Sequence, residues 1–257
     1  MNEFEIIDFH THPFIEKEYN FCFYDDTVNS TEDFVKDMNE SGISKFCGSV
    51  IKRKDIEDFA EIRKMNDEAV KLRDMLGDKY IPGIHIHPKF LEESIKEMNR
   101  MKEKGVKLIG ELVPYLMGWD SYYDESMTEI YKEAQKLGYV ISIHTKYEES
   151  MENAVKNFPE ITFVAAHPGD RKVLDEHIER MKKYENYYLD LSGTGMFRYG
   201  MVRKLVKSVG SERLLFGTDY PICNPHMYVQ AVIFEKISDR DKENIFSGTA
   251  KKLLEIG

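Results

Sequence analysis

Short apolar, β-rich runs recur along the chain, separated by segments in which apolar residues fall at helical spacing. The runs are EIIDFH, ISKFCGSV, YIPGIHIH, VKLIGEL, YVISIH, ITFVAA, YYLDLS and RLLFGTD, eight in all. Between them, Ile56, Phe59, Ile62, Ala69, Leu72 and Leu76 share one helical face, and so do Met127, Ile130, Tyr131, Ala134 and Leu137. Glycines 42, 77, 105, 138 and 210 stand where a left-handed residue would stop a helix. Ser30 with Asp33 and Ser238 with Asp241 have the spacing of capping boxes, with Asp in place of the usual Glu.

Strand alternating with helix through eight units predicts a parallel sheet, and eight units close naturally into a (β/α)8 TIM barrel formed by one domain over residues 1–257. The expected strand ends are His10, Val50, His87, Glu111, His144, His167, Ser192 and Asp219. They are spaced from 23 residues (His144 to His167) to 40 (His10 to Val50), room for a helix and two loops each. The alternative is an open, doubly wound sheet. No Gly-rich phosphate loop follows the first strand, where a dinucleotide fold would need one.

Composition narrows the function. The formal net charge is −10, with 46 acidic against 36 basic residues, which opposes a broad phosphate-binding surface, so no nucleic-acid partner is expected. No window is long and apolar enough to span a bilayer and the N-terminus lacks a signal-peptide pattern, so no membrane association and a cytoplasmic location are expected. The three cysteines, Cys22, Cys47 and Cys223, are odd in number and widely spaced, giving neither a disulfide framework nor a zinc-finger spacing.

Four of the runs end on metal-binding residue types: His10 and His12 in DFHTH, His144 in IHTK, His167 in AAHPG and Asp219 in FGTDYP. Residues i and i+2 of a strand project to one face about 6.6 Å apart, so His10 and His12 can converge on one ion. In a barrel the C-terminal strand ends share one mouth, where all five would meet. Imidazoles with a carboxylate suit zinc, and a metal site of that kind lowers the pKa of bound water to about 7.

HxH, His, His and Asp in this order, with the closing NIFSGTAKKLL, make the chain resemble the amidohydrolase superfamily, in particular its amidohydrolase-2 branch, over almost its whole length. The resemblance implies one or two divalent ions, held by His10, His12, His144 and Asp219, with His167 binding a second ion or acting on the substrate. Asp219 would be the general base and His167 would polarise a carbonyl, chemistry that hydrolyses a small-molecule amide, lactone or ester. A decarboxylase of an aromatic or unsaturated acid is the alternative, because the branch includes such enzymes with nearly the same ligands. A nuclease resembling the TatD group would need similar ligands but a less acidic surface. A scaffold without chemistry has no need of these residues at one mouth.

Glu111 ends the fourth run, where the resemblance implies a carboxylated Lys or a Glu that bridges two ions; Lys107 lies too deep for the mouth, so Glu111 is the candidate bridge, with a carboxylate that binds substrate or caps the loop as the other reading. His85 and His87 share a strand face, with substrate contact or a core position as the readings. His177 reads as surface, and His226 as a loop residue that is not a ligand. Tyr115, Trp119, Tyr122 and Tyr123 crowd the loop after the fourth strand, where they would wall a pocket. Lys146 and Arg198 could receive a substrate carboxylate. A homo-oligomer is compatible with the sequence.

Overall fold

A computed structural model describes residues 4–24, 28–52 and 55–256. Its strands are β1 (Ile7–Thr11), β2 (Lys45–Ser49), β3 (Tyr80–Ile84), β4 (Leu108–Leu112), β5 (Val140–His144), β6 (Thr162–Ala166), β7 (Tyr187–Asp190) and β8 (Leu214–Leu215). They lie in one sheet in chain order, each paired in parallel with the next. The seam from β8 to β1 is closed by backbone hydrogen bonds. Phe9 N–H donates to the Phe216 carbonyl, Asp219 N–H to that of His10 and His12 N–H to that of Tyr220, each at 2.8 Å. The expected (β/α)8 barrel is therefore the fold, and the open sheet is excluded.

The helices are α1 (Thr31–Glu40), α2 (Phe59–Leu76), α3 (Leu91–Glu103), α4 (Pro114–Met117), α5 (Glu125–Leu137), α6 (Glu148–Asn157), α7 (Arg171–Lys183), α8 (Met201–Val209), α9 (Pro225–Phe234), α10 (Asp239–Glu243) and α11 (Thr249–Leu254). Their ends follow the sequence signals. Ser238 and Asp241 form a reciprocal capping box on α10, and Gly138 closes α5 in the left-handed region. None of these helices is long and apolar enough to cross a membrane. Cys47 and Cys223 are not in a disulfide.

Two apolar layers separate inside from outside. Ile7, Cys47, Leu108, Val140, Val164, Tyr188 and Leu215 pack within the barrel, joined by Ala250 and Leu254 of α11. Strand residues of the opposite parity, such as Phe46, Ile109, Ile141, Phe163 and Leu189, pack outwards against helix residues including Ile62, Met98 and Ile130.

That parity has a consequence for the mouth. With Ile7 and Leu108 inside, strict alternation would turn His10 and Glu111 out towards the helices. The register slips by one residue in both strands, from Asp8↔Phe46 to Thr11↔Gly48 and from Ile109↔Ile141 to Leu112↔Ile143. One extra residue in β1 and one in β4 flip the parity, and His10, His12 and Glu111 face the interior instead.

Several strands stop short of the expected ends. The third ends at Ile84, leaving His85 and His87 beyond it, and the eighth is two residues long because the chain after Leu215 bonds across the seam to β1. His167 and Asp219 follow their strands with φ of 70° and 67°, in the left-handed region that non-Gly residues enter at a cost.

Candidate metal centre

Four donor atoms converge at the C-terminal mouth. His10 Nε2 lies 3.3 Å from His12 Nε2, 3.4 Å from Glu111 Oε2 and 3.6 Å from Asp219 Oδ1. His12 Nε2 lies 3.4 Å from Asp219 Oδ1 and 3.7 Å from Glu111 Oε2. Donors on a tetrahedron around an ion at 2.0–2.2 Å stand about 3.3–3.6 Å apart, so the set fits a first-row divalent metal. Among these donors, His10, His12 and Glu111 form a buried group that could hold an ion.

A second set shares Glu111. Its Oε1 is 2.8 Å from His144 Nδ1 and 3.4 Å from His167 Nε2. The two carboxylate oxygens of Glu111 thus face different histidine pairs, as a bridge would. The five positions expected to meet at the mouth lie together there with Glu111, but His144, expected to share an ion with His10, His12 and Asp219, stands in the second set with His167.

The environment keeps the site charged and oriented. Burial opposes ionisation of Glu111, but the imidazoles of His10 and His144 outweigh it and hold its carboxyl well below the usual range. Burial likewise opposes a charge on His167, and the hydrogen bond and charge of Glu111 carry it up to about 9. The ring of His12 is fixed through Nδ1, which is 3.2 Å from the Ser49 carbonyl, and that of His10 through Nδ1, which is 3.0 Å from Asp190 Oδ2. Asp190 and Ser192 carried no signal in the sequence beyond their place in the seventh run. A polar pair at an inward strand end facing a histidine strand was the pattern that could have found them.

His12, Glu111, His144, His167 and Asp219 line a cavity of about 620 Å³. Its other walls are largely apolar: Phe21, Phe23, Ile51, Val113, Tyr115, Leu116, Val173 and Ile222. Neither Lys nor Arg is among its described lining residues. A larger groove of about 1200 Å³ runs over α6 and α7, but its walls are mostly exposed charged side chains and it holds none of these ligand residues.

The remaining candidates are placed as follows. Tyr115 lines the cavity, and Lys146 Nζ sits over its ring, 4.1 Å from the centroid. Arg198 borders the charged groove and donates to the Gly169 carbonyl at 3.1 Å. Trp119 packs behind the wall against Tyr122, 5.6 Å between ring centroids. His87 is buried away from the cavity: its Nε2–H donates to the Met117 carbonyl and its Nδ1 accepts from Lys89 N–H. Both ring nitrogens are spent, leaving none for a substrate. His85 is a core residue whose Nε2 is 2.9 Å from the Val50 carbonyl. Lys107 is indeed at the opposite end of β4, paired with Glu255.

His177 corrects the expectation of a surface residue. It is fully buried, with Nδ1 2.8 Å from the Tyr187 hydroxyl and Nε2 3.2 Å from the His167 carbonyl. Its charged neighbours in α7 suggested solvent, but the ring lies on the helix face that packs on β6 and β7.

The sequence profile of the amidohydrolase family matches residues 7–256. The chain belongs to the amidohydrolase family, in its amidohydrolase-2 branch. It is accordingly an enzyme fold of the metal-dependent kind. Solved structures share the architecture at low identity. The 2,6-dihydroxybenzoate decarboxylase from Rhizobium is 14% identical with a TM-score of 0.78, covering 98% of this chain and 99% of its own. The 5-carboxyvanillate decarboxylase from Sphingomonas paucimobilis is 14% identical with a TM-score of 0.76, covering 99% and 100%. The dihydroxybenzoic acid decarboxylase from Polaromonas, with bound manganese and the inhibitor 2-nitroresorcinol, is 18% identical with a TM-score of 0.74, covering 99% and 97%. No curated protein sequence matches the chain.

Proposed function

We propose that this amidohydrolase removes carbon dioxide from a small aromatic or unsaturated carboxylic acid at a divalent metal centre. The observation that carries the reading is the cavity: a space over the donor set walled largely by apolar side chains, Phe21 and Tyr115 among them. A bound ion would be the cation available to a substrate carboxylate, and the rings of Phe21 and Tyr115 would flank an aromatic body. The fold shared with three aromatic-acid decarboxylases supports the same reading.

His10, His12, Glu111 and Asp219 would hold the ion, with His144, His167 and the other oxygen of Glu111 available for a second. The ion would supply positive charge to orient an anionic substrate and stabilise charge that develops on it. Zinc and manganese both suit imidazole and carboxylate donors, and zinc suits the near-tetrahedral spacing better. The protein's own task is to place the carbon bearing the carboxylate near a proton donor. As the carbon–carbon bond breaks and carbon dioxide leaves, that carbon would take a proton drawn from water, which is left as hydroxide, and Asp219, which borders both the donor set and the cavity, would relay it. Tyr115 would form part of the wall.

Hydrolysis of a small amide, lactone or ester is the second reading, favoured by the division of the Glu111 oxygens between two histidine pairs, the arrangement that suits a two-ion centre activating water. A panel of hydroxybenzoates and unsaturated diacids, assayed for carbon dioxide, set beside lactones, esters and amides, assayed for acid release, separates the two. Carbon dioxide release that His12→Ala abolishes establishes the first reading; turnover confined to the second group rejects it. The metal-bound protein is assigned to the cytoplasm, with a small molecule as its partner.

A further inference from the structure

Strand seven reaches the centre through two side chains that belong to neither donor set. Asp190 and Ser192 are both fully buried. Ser192 Oγ is 3.0 Å from His10 Nδ1 and 3.0 Å from His167 Nδ1, and its hydroxyl donates to Asp190 Oδ1. Asp190 Oδ2 is 3.0 Å from the same His10 nitrogen. Space next to this unit is closed: a side chain at Gly193 would place its Cβ 2.3 Å from His167 Nδ1.

Counting protons fixes the direction of each bond. An ionised Asp190 only accepts, and Ser192 has one proton, which Asp190 takes. Ser192 Oγ can then only accept from the two imidazoles, so His10 and His167 must each carry their proton on Nδ1. With an ion bound, their Nε2 atoms would be left with free lone pairs, and these are the atoms that face Glu111, His10 towards Oε2 and His167 towards Oε1, each at 3.4 Å.

We propose that Asp190 and Ser192 form one positioning unit that sets the tautomer of two histidines and aims each at a different oxygen of Glu111. The unit couples the two donor sets, because one serine oxygen accepts from both imidazoles. The two members are unequal. His10 keeps Asp190 if Ser192 is lost, whereas His167 Nδ1 has Ser192 as its one hydrogen-bond partner among the described residues.

The proposal rests on the metal centre described above, and the test separates the two. Metal-free wild type, Ser192→Ala and Asp190→Asn are titrated with Mn²⁺, following the electron paramagnetic resonance of the free ion, and their melting temperatures are compared without metal. Wild type is expected to take two ions. Ser192→Ala should keep one at wild-type affinity and bind the other about 10–100-fold more weakly, while Asp190→Asn weakens both. A merely structural role would weaken both ions equally in Ser192→Ala, in step with a lowered melting temperature, and that result overturns the proposal. So does a Ser192→Ala titration indistinguishable from wild type. Failure of the wild type to take up Mn²⁺ overturns the metal centre, and the positioning role with it.

Discussion

Glu111 links the two donor sets, because its two oxygens face His10 on one side and His144 and His167 on the other. Changing Glu111 to Gln removes a negative charge from between two would-be cations and leaves their repulsion less compensated. Metal content after identical dialysis should fall from two ions towards one, read by elemental analysis. Equal content in wild type and Glu111→Gln would reduce Glu111 to a substrate contact. His177 makes a different prediction. Burial, with help from Arg180, lowers its pKa to about 3, against about 6.5 when unfolded. The unfolded chain therefore binds the proton first, so stability is full above pH 6.5 and is lost as pH falls towards 3. The slope approaches 1.4 kcal/mol per pH unit, as one proton requires, at about the middle of that window. Urea unfolding of metal-free protein between pH 6.5 and 4 should show this slope in wild type and a shallower one, by about that amount, in His177→Gln. Parallel slopes would mean that the buried ring is not the source.

At the scale of elements, the positions of the ligands depend on irregularities in regular strands. One extra residue in each of β1 and β4 turns His10 and Glu111 inwards, a use of bulges to re-aim side chains beside a site. The loop after β7 contributes by what it lacks. Gly193 has φ of 57° and no room for a methyl group beside the His167 ring. Gly193→Ala must displace that ring or the loop, at about 1–3 kcal/mol of strain. We expect a folded protein whose metal uptake falls at the His144 and His167 side before the His10 and His12 side. Wild-type turnover and metal content in this variant would show that the ring has space to move.

For the whole molecule, metal and fold should be linked, because the donors come from β1, β4 and β5 and from the segments following β6 and β8. An ion that binds only the folded barrel at 100 times its Kd adds about 2.7 kcal/mol, which in a chain of this size raises the melting temperature by about 5–10 °C. Differential scanning calorimetry with and without a chelator measures it directly. A melting temperature indifferent to chelator and to added Zn²⁺ or Mn²⁺ would leave the cluster without an ion.

The alternation of runs and helical spacings was enough to specify the barrel, because a strand buried on both faces and a one-faced helix leave few ways to cover each other. The order of His10, His12, Glu111, His144, His167 and Asp219 at strand ends was legible for the same reason: a parallel barrel brings all C-terminal ends to one mouth. Three things were decided only in three dimensions. His177 sits in a charged helix, and which face packs inwards depends on the neighbouring strands, not on its own sequence. His87 lost its place at the pocket because β3 ended three residues earlier and the turn of the chain took both ring nitrogens. The inward aim of His10 and Glu111 came from single-residue slips in register, which pairing with β2 and β5 imposes and which no local pattern records. Asp190 and Ser192 were silent for a related reason, since their proposed role needs the seventh strand brought within one strand of the first by closure of the barrel at β8.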